Sequence, residues 1–376
     1  MTDPSARATH PLRVVLLDSI TEWGGGEKWC VDTARELSGR GHRVVIACGR
    51  GSALETHAAR ERVETRAVNS SGVAGIRAAF ELGAWMRGEG MQVVVANVGR
   101  DVRLGALACM RSRAVLVQRR GIARRVKGDP LSRFLYTRVV RRVAANCAAI
   151  RERMLEGASF VDPARVVVIG NGVDLARMPR GDGAGLRREL GLDPHTPVAA
   201  IVGRLSEMKG HADLIAAWAK VVESVPRAVL LVAGDGDQRD AIEQQVRAAQ
   251  LERSVRLLGF RDDVADILAA ADVLALPSTR DEGCNNTLLE ALAIGTACVV
   301  TRCGGLPELI DDGVTGIVVE IGDREALAAA VTRVLSQPAL RDSLRNAARA
   351  RSAERQSLAA VTTQWESLLG EVVRGG

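Results

Sequence analysis

Near-continuous runs of Val, Ile and Leu alternate with longer helical patterns along the whole chain, and this rhythm limits the fold more than any other feature. In the first half the runs are LRVVLLD (12–18), HRVVIAC (42–48), MQVVVAN (91–97) and AVLVQ (114–118). The second half restarts with PVAAIVG (197–203), AVLLVAG (228–234), VRLLG (255–259) and VLALP (273–277). Apolar runs without polar alternation predict strands covered on both faces, which is the parallel α/β case. Between the two series lies NGVDLARMPRGDGAG (171–185), rich in Gly and Arg. The expected architecture is α/β, with two Rossmann-like parallel-sheet domains at 1–172 and 173–352 facing each other across a cleft. A final helix within 353–376, carrying Leu358, Val361, Trp365, Leu368 and Leu369, is expected to pack back on the first domain.

The 376 residues suffice for about two domains, and no apolar run is long enough to cross a membrane. The start MTDPSARATHPLRVVLLD has neither an apolar core nor a small-residue cleavage site, so the expectation is a cytoplasmic protein. Seven cysteines are scattered with no CxxC pair, and the five histidines form no HxxxH or HxH. They read as small core residues in a reducing compartment, and no metal site is expected. Charge is unevenly shared. Residues 1–170 hold 28 Lys+Arg against 16 Asp+Glu, and 171–376 hold 23 against 29. A basic first half opposite an acidic second half points to an anionic partner on the first.

Three stretches carry candidate chemistry. Gly24, Gly25 and Gly26 follow the first strand where a helix begins. They serve either a turn needing positive φ or the close approach of helix N–H groups to an anion. Arg204 and Lys209, between Gly203 and Gly210, follow the first strand of the second series. A guanidinium fork and an ammonium charge at a strand end suit a diphosphate. Glu282 and Glu290 lie eight residues apart, as an acid–base pair or as acceptors for a polyhydroxylated ligand. Eight helical residues span about 12 Å, whereas a retaining glycosidase holds its carboxyls about 5–5.5 Å apart. The spacing favours positioning over attack.

Taken in order, GGGE (24–27), NGVD (171–174), GRL…KG (203–210), LLGFRDDVADILAAADVLALPS (257–278) and EGCNNTLLEALAIG (282–295) resemble the retaining glycosyltransferases of family 4 (glycosyl transferases group 1), which have the GT-B fold. The resemblance implies a nucleoside diphosphate sugar as donor, a saccharide or lipid-linked acceptor, no further cofactor and no metal. It places Arg204 and Lys209 on the donor pyrophosphate, Glu290 on the ribose and Glu282 on the sugar. Gly203 and the backbone at Asn286, Thr287 and Leu288 line the donor, with Gly25 and Gly26 closing on the phosphates. It further implies a role in cell-surface polysaccharide or lipopolysaccharide synthesis. Two departures stand out. Cys284 occupies a position usually held by a bulky residue. Where many relatives carry an acceptor-side histidine, this chain has Arg119 and Arg120, so either an arginine takes that part or the donor phosphate accepts the acceptor's proton.

Residues 111–142 hold eleven basic residues and one acidic, Asp129. As a helix, 131–142 would gather Leu131, Leu135 and Val139 on one side, with Arg133, Arg138 and Arg141 opposite and Phe134 among them. That face is either solvated surface or a contact with an anionic membrane or acidic acceptor. Aromatic residues are only 3% and no binding module is legible, so nucleic acid is not expected. Rival readings are a sugar phosphorylase, a nucleotide-sugar epimerase, or a non-catalytic sugar-binding protein of two Rossmann lobes. The last class usually carries a secretion signal and lacks the GRL…KG and E-x7-E motifs.

Overall fold

The computed structural model describes residues 10–68, 72–123, 125–178 and 181–375, with 72–74 described by backbone alone. The chain divides into two units: Met1–Asn171 with Leu358–Gly376, and Gly172–Ser357.

The first unit holds β1 (Arg13–Asp18), β2 (Arg43–Cys48), β3 (Glu64–Ala67), β4 (Val93–Ala96), β5 (Val115–Arg120), β6 (Val140–Ala145) and β7 (Val166–Val168). They form one seven-stranded sheet ordered β3-β2-β1-β4-β5-β6-β7. The second holds β8 (Val198–Val202), β9 (Val229–Ala233), β10 (Val255–Gly259), β11 (Val273–Leu276), β12 (Ala297–Thr301) and β13 (Ile317–Val319), ordered β10-β9-β8-β11-β12-β13. Every strand pair is parallel. Two parallel Rossmann-like sheets are the architecture expected from the sequence.

The continuous apolar runs are explained by burial on both faces. In β1, Val15 and Leu17 enter one core while Val14 and Leu16 enter the core on the opposite face. In β8, Ala199 and Ile201 face one layer, and Val198 and Ala200 the other. Each sheet reverses its strand order once, at β1/β4 and at β8/β11, and crevices form at the carboxyl ends of strands flanking such points.

The helix Pro338–Arg355 runs on past residue 352, and the return to the first unit falls at Ser357/Leu358. The terminal helix Leu358–Arg374 packs through Trp365, whose ring centroid lies 5.0 Å from that of Trp29. Its Glu366 bonds Arg40 and, at 2.8 Å, His42.

The helix expected over 131–142 is shorter. Pro130–Phe134 is α-helical, Leu135–Val139 widens into a π turn, and β6 begins at Val140. Val140, Val143, Ala144 and Ala145 are needed between β5 and β7, and that demand overrides the helical pattern. Leu131 therefore lies on the surface, half exposed, while Leu135 is buried.

Candidate functional site

In the second unit, β8 delivers the chain into a turn tied to its neighbours. Gly203 N–H bonds Ala233 C=O at 3.0 Å, and Leu205, fully buried, bonds Asp235 C=O at 3.0 Å. The flanking Arg204 is exposed. A 3-10 turn, Glu207–Lys209, then leads through Gly210 into the helix His211–Ser224. Gly210 has φ +71°, and a Cβ there would lie 1.9 Å from Pro277 C=O. Only glycine lets the turn lie against the end of β11. Thr279 N–H fastens the two segments by bonding Met208 C=O at 2.9 Å.

This close approach brings Lys209 onto Glu282. Lys209 Nζ donates to Glu282 Oε2 at 2.7 Å, and Ser278 Oγ donates to the same oxygen at 2.7 Å. Glu282 is 6% exposed, and Gly305 N–H bonds its backbone C=O at 3.2 Å. Ser278 is held in turn, because Thr301 Oγ1 donates to its carbonyl at 2.5 Å. Both side-chain bonds use Oε2, leaving Oε1 without a hydrogen bond among the described residues. One carboxylate oxygen is thus fixed by a cation and a hydroxyl, and the other keeps its acceptor capacity.

Glu290 stands elsewhere in the local structure. Glu282 sits in a loop, and the helix Asn286–Ile294 carries Glu290, half-buried, in its second turn. The eight-residue interval is only partly helical, so the 12 Å spacing of a continuous helix does not apply. The Asn285 side chain caps this helix by accepting from Leu288 N–H at 2.9 Å. The Leu288 N–H expected to meet a ligand is therefore engaged in the cap. Cys284 is buried against Val173 and Leu289 in a small apolar cluster.

In the first unit the carboxyl ends of β1, β4 and β5 meet in a buried polar network. Asn97 donates through Nδ2 to Asp18 Oδ2 and accepts from Arg119 Nη1 at 2.7 Å. Arg119 also donates to Asn171 Oδ1 at 2.9 Å, and its guanidinium lies 4.5 Å over the Trp29 ring. Glu27 lies in the first turn of the helix Gly25–Gly39. Burial and the nearby Asp18 carboxylate push its pKa up to about 7. Burial likewise raises Asp101 to about 7, against the hydrogen bond from Ser19. Gly26 has a packing reason here: a Cβ would come within 2.7 Å of Asn97 Nδ2.

Arg119 and Arg120, expected on the acceptor side, are both buried. Arg119 belongs to this network. Arg120 points to the other face of β5 beside Tyr136, and burial lowers its pKa. Sequence reading missed Ser278, Asn285 and the Asp18–Asn97 pair. A Ser two residues past a buried strand and an Asn immediately before a helical run were the available signals.

The Glycosyltransferase Family 4 model matches residues 23–177, and the Glycosyl transferases group 1 model matches 184–351. The chain is 33% identical over 189 residues to the N-acetyl-alpha-D-glucosaminyl L-malate synthase of Bacillus anthracis, spanning 50% of this chain and 49% of that one. It is 32% identical over 217 residues to the lipopolysaccharide core biosynthesis glycosyltransferase LpsE of Rhizobium meliloti, spanning 58% and 60%. The chain spans about half the length of the curated relatives it matches. Anabaena Alr3699/HepE in complex with UDP has the same fold, with a TM-score of 0.84, 23% identity, and 96% of this chain and 100% of that chain covered. That protein has also been solved with UDP-glucose.

Proposed function

The chain belongs to the family 4 glycosyltransferases (glycosyl transferases group 1), and from that premise we propose that it moves a sugar from a nucleoside diphosphate sugar to an acceptor hydroxyl, with retention and without a metal. The observation that carries this reading is the Lys209–Glu282–Ser278 cluster at the strand ends of the second unit, beside the first turn of the helix Asn286–Ile294.

Breaking the bond between the anomeric carbon and the diphosphate puts negative charge on the departing oxygen. Lys209, Arg204 and the helix N-terminus are fixed positive groups that stabilise that charge without reorganisation. Glu282 is badly placed to attack, since one oxygen is engaged by Lys209 and Ser278. Its Oε1 instead accepts from a hydroxyl of the donor sugar and orients the ring. The acceptor oxygen then bonds the anomeric carbon on the face the diphosphate leaves, and the acceptor's proton passes to the departing diphosphate. Glu290 accepts from the ribose hydroxyls. The buried Arg119 organises the first unit's strand ends rather than meeting the acceptor.

The Rhizobium relative supports an acceptor in surface-polysaccharide synthesis, and the Anabaena complexes make a UDP-sugar the first donor to test. The deciding experiment is a thermal-shift screen of UDP-, GDP- and ADP-sugars, followed by turnover of the stabilising donor. Arg204→Ala and Lys209→Ala should each lower turnover by about a hundredfold or more while the protein stays folded. Near-wild-type turnover in either variant, or sugar phosphate made from a glycoside and inorganic phosphate, would overturn the proposal.

A further inference from the structure

We propose that the outer face of the first unit's helical layer, built by the helix Gly72–Gly88, the helix Gly99–Ser112 and residues 130–139, docks on an anionic lipid surface. Ala79, Leu82 and Met86 of the first helix, Val102, Leu104 and Ala108 of the second, and Leu135 and Tyr136 of the third all enter one core on the same side of the sheet. The opposite faces of the three elements therefore make one outer surface.

That surface exposes large apolar side chains that the core does not use. Met110 is 76% exposed, Phe134 56%, Ile76 51% and Leu131 50%. Ile76, Phe80 and Ala84 line an open groove of about 460 Å³, rimmed by Arg77, Glu81 and Arg111. Scattered single exposures are normal, but here they recur on three adjoining elements.

The same face carries Arg103, Arg111, Arg113, Arg133 and Arg138, all exposed. None of the five forms an ion pair among the described residues. In the same unit Arg35 pairs with Glu61, Arg40 with Glu36, and Arg43 with Glu64 and Glu89. Of the nearby acids, Glu81 pairs with Arg77, and Asp129 caps Ser132 and lies within electrostatic reach of Arg103. The Arg111 guanidinium lies 5.5 Å over the Phe80 ring and that of Arg133 5.1 Å over the Phe160 ring, so both cations sit at exposed positions beside apolar rings.

Exposed arginines interleaved with apolar tips suit a layer whose phosphates lie above its hydrocarbon. A folded acidic partner would need carboxylates in a matching fixed pattern, whereas mobile headgroups satisfy a dispersed set of arginines. No helix among the described residues is long and apolar enough to cross a membrane, so the contact is peripheral, with Leu131 and Phe134 as the inserting side chains. Arg124, in the same basic stretch of sequence, lies outside the described residues.

The inference does not depend on the donor chemistry, and its test is separate. The full chain, without donor, is sedimented with phosphatidylglycerol vesicles and with phosphatidylcholine vesicles. It should bind the first at low salt, release as salt rises, and ignore the second. Each Arg→Gln change should weaken partition about fivefold, so Arg111→Gln, Arg133→Gln and Arg138→Gln together should cost about a hundredfold. Leu131→Gln with Phe134→Gln should abolish the residual binding that survives at high salt. Both variant sets should keep wild-type donor turnover in solution. No binding to phosphatidylglycerol, equal binding to both vesicles, or arginine variants that bind like wild type would overturn the proposal. So would a lipid-free dimer that the Leu131 and Phe134 changes dissociate, since this face would then be an interface between copies.

Discussion

Glu282 and Glu290 carry the same functional group in different environments, and the environment assigns the role. The Glu282 carboxylate is buried with one oxygen between Lys209 Nζ and Ser278 Oγ, so its charge is balanced inside the fold. Removing one partner of such a pair strands the other. Glu282→Gln keeps the shape, removes the charge opposite Lys209 and replaces an acceptor oxygen. It should lower sugar transfer by about a hundredfold, with nucleotide affinity changed much less. Glu290 is half-buried on its helix, and Glu290→Gln should instead weaken nucleotide binding about tenfold, the scale of one charge-assisted hydrogen bond. Isothermal titration with the nucleotide, set beside transfer kinetics, separates the two. Mass spectrometry of the reacting enzyme should find no sugar on either residue, and an adduct on Glu282 would reverse its assignment from positioning to attack.

At the scale of elements, the turn from Gly203 to Gly210 makes the cluster possible. Gly210→Ala puts a Cβ against Pro277 C=O at a positive φ, so β11 or the turn must shift. The expected cost is about 2–4 kcal/mol, lowering the melting temperature of the second unit by about 5–10 °C. Gly313→Ala is the control. Its φ is +74°, but no atom lies within 4 Å of the added Cβ. It should cost only about 1–2 kcal/mol of backbone strain, and an equal loss in both variants would count against the packing argument. Elements of this kind differ in how legible they are beforehand. Continuous apolar runs marked the strands buried on both faces. The edge strand β3 has the polar sequence ETRA, and β7 and β13 are three residues each, so their runs are too short to read. In β6 two arginines interrupt the apolar residues and imitate a helical face. Arg204 and Lys209 stood after a recognisable strand, and the two glutamates in an E-x7-E spacing. The Asp18–Asn97–Arg119 network was not legible in this way, because it requires β1, β4 and β5 to be neighbours, which sheet order decides and local sequence does not.

At the scale of the whole molecule, the two units should respond to pH in opposite directions. In the second unit, burial and then neighbouring Lys209 lower the His211 pKa from 6.5 to about 4. The folded state therefore binds fewer protons than the unfolded state between those values. Stability from His211 is complete above pH 6.5 and is lost as pH falls toward 4. In the first unit, burial raises Asp101 from 3.8 to about 7, and burial with the Asp18 charge raises Glu27 to a similar value. There the folded state binds more protons, so stability is complete below about pH 4 and declines as pH rises to 7. Each pKa unit is worth about 1.4 kcal/mol, so His211 alone moves the second unit by about 3 kcal/mol. Scanning calorimetry from pH 4.5 to 7.5 should show one transition moving up and another moving down. His211→Leu should flatten the rising transition, and Asp101→Asn should flatten part of the falling one. Two transitions that move together, or a His211→Leu protein that keeps the wild-type slope, would refute the assignment of opposed titrating groups to the two units.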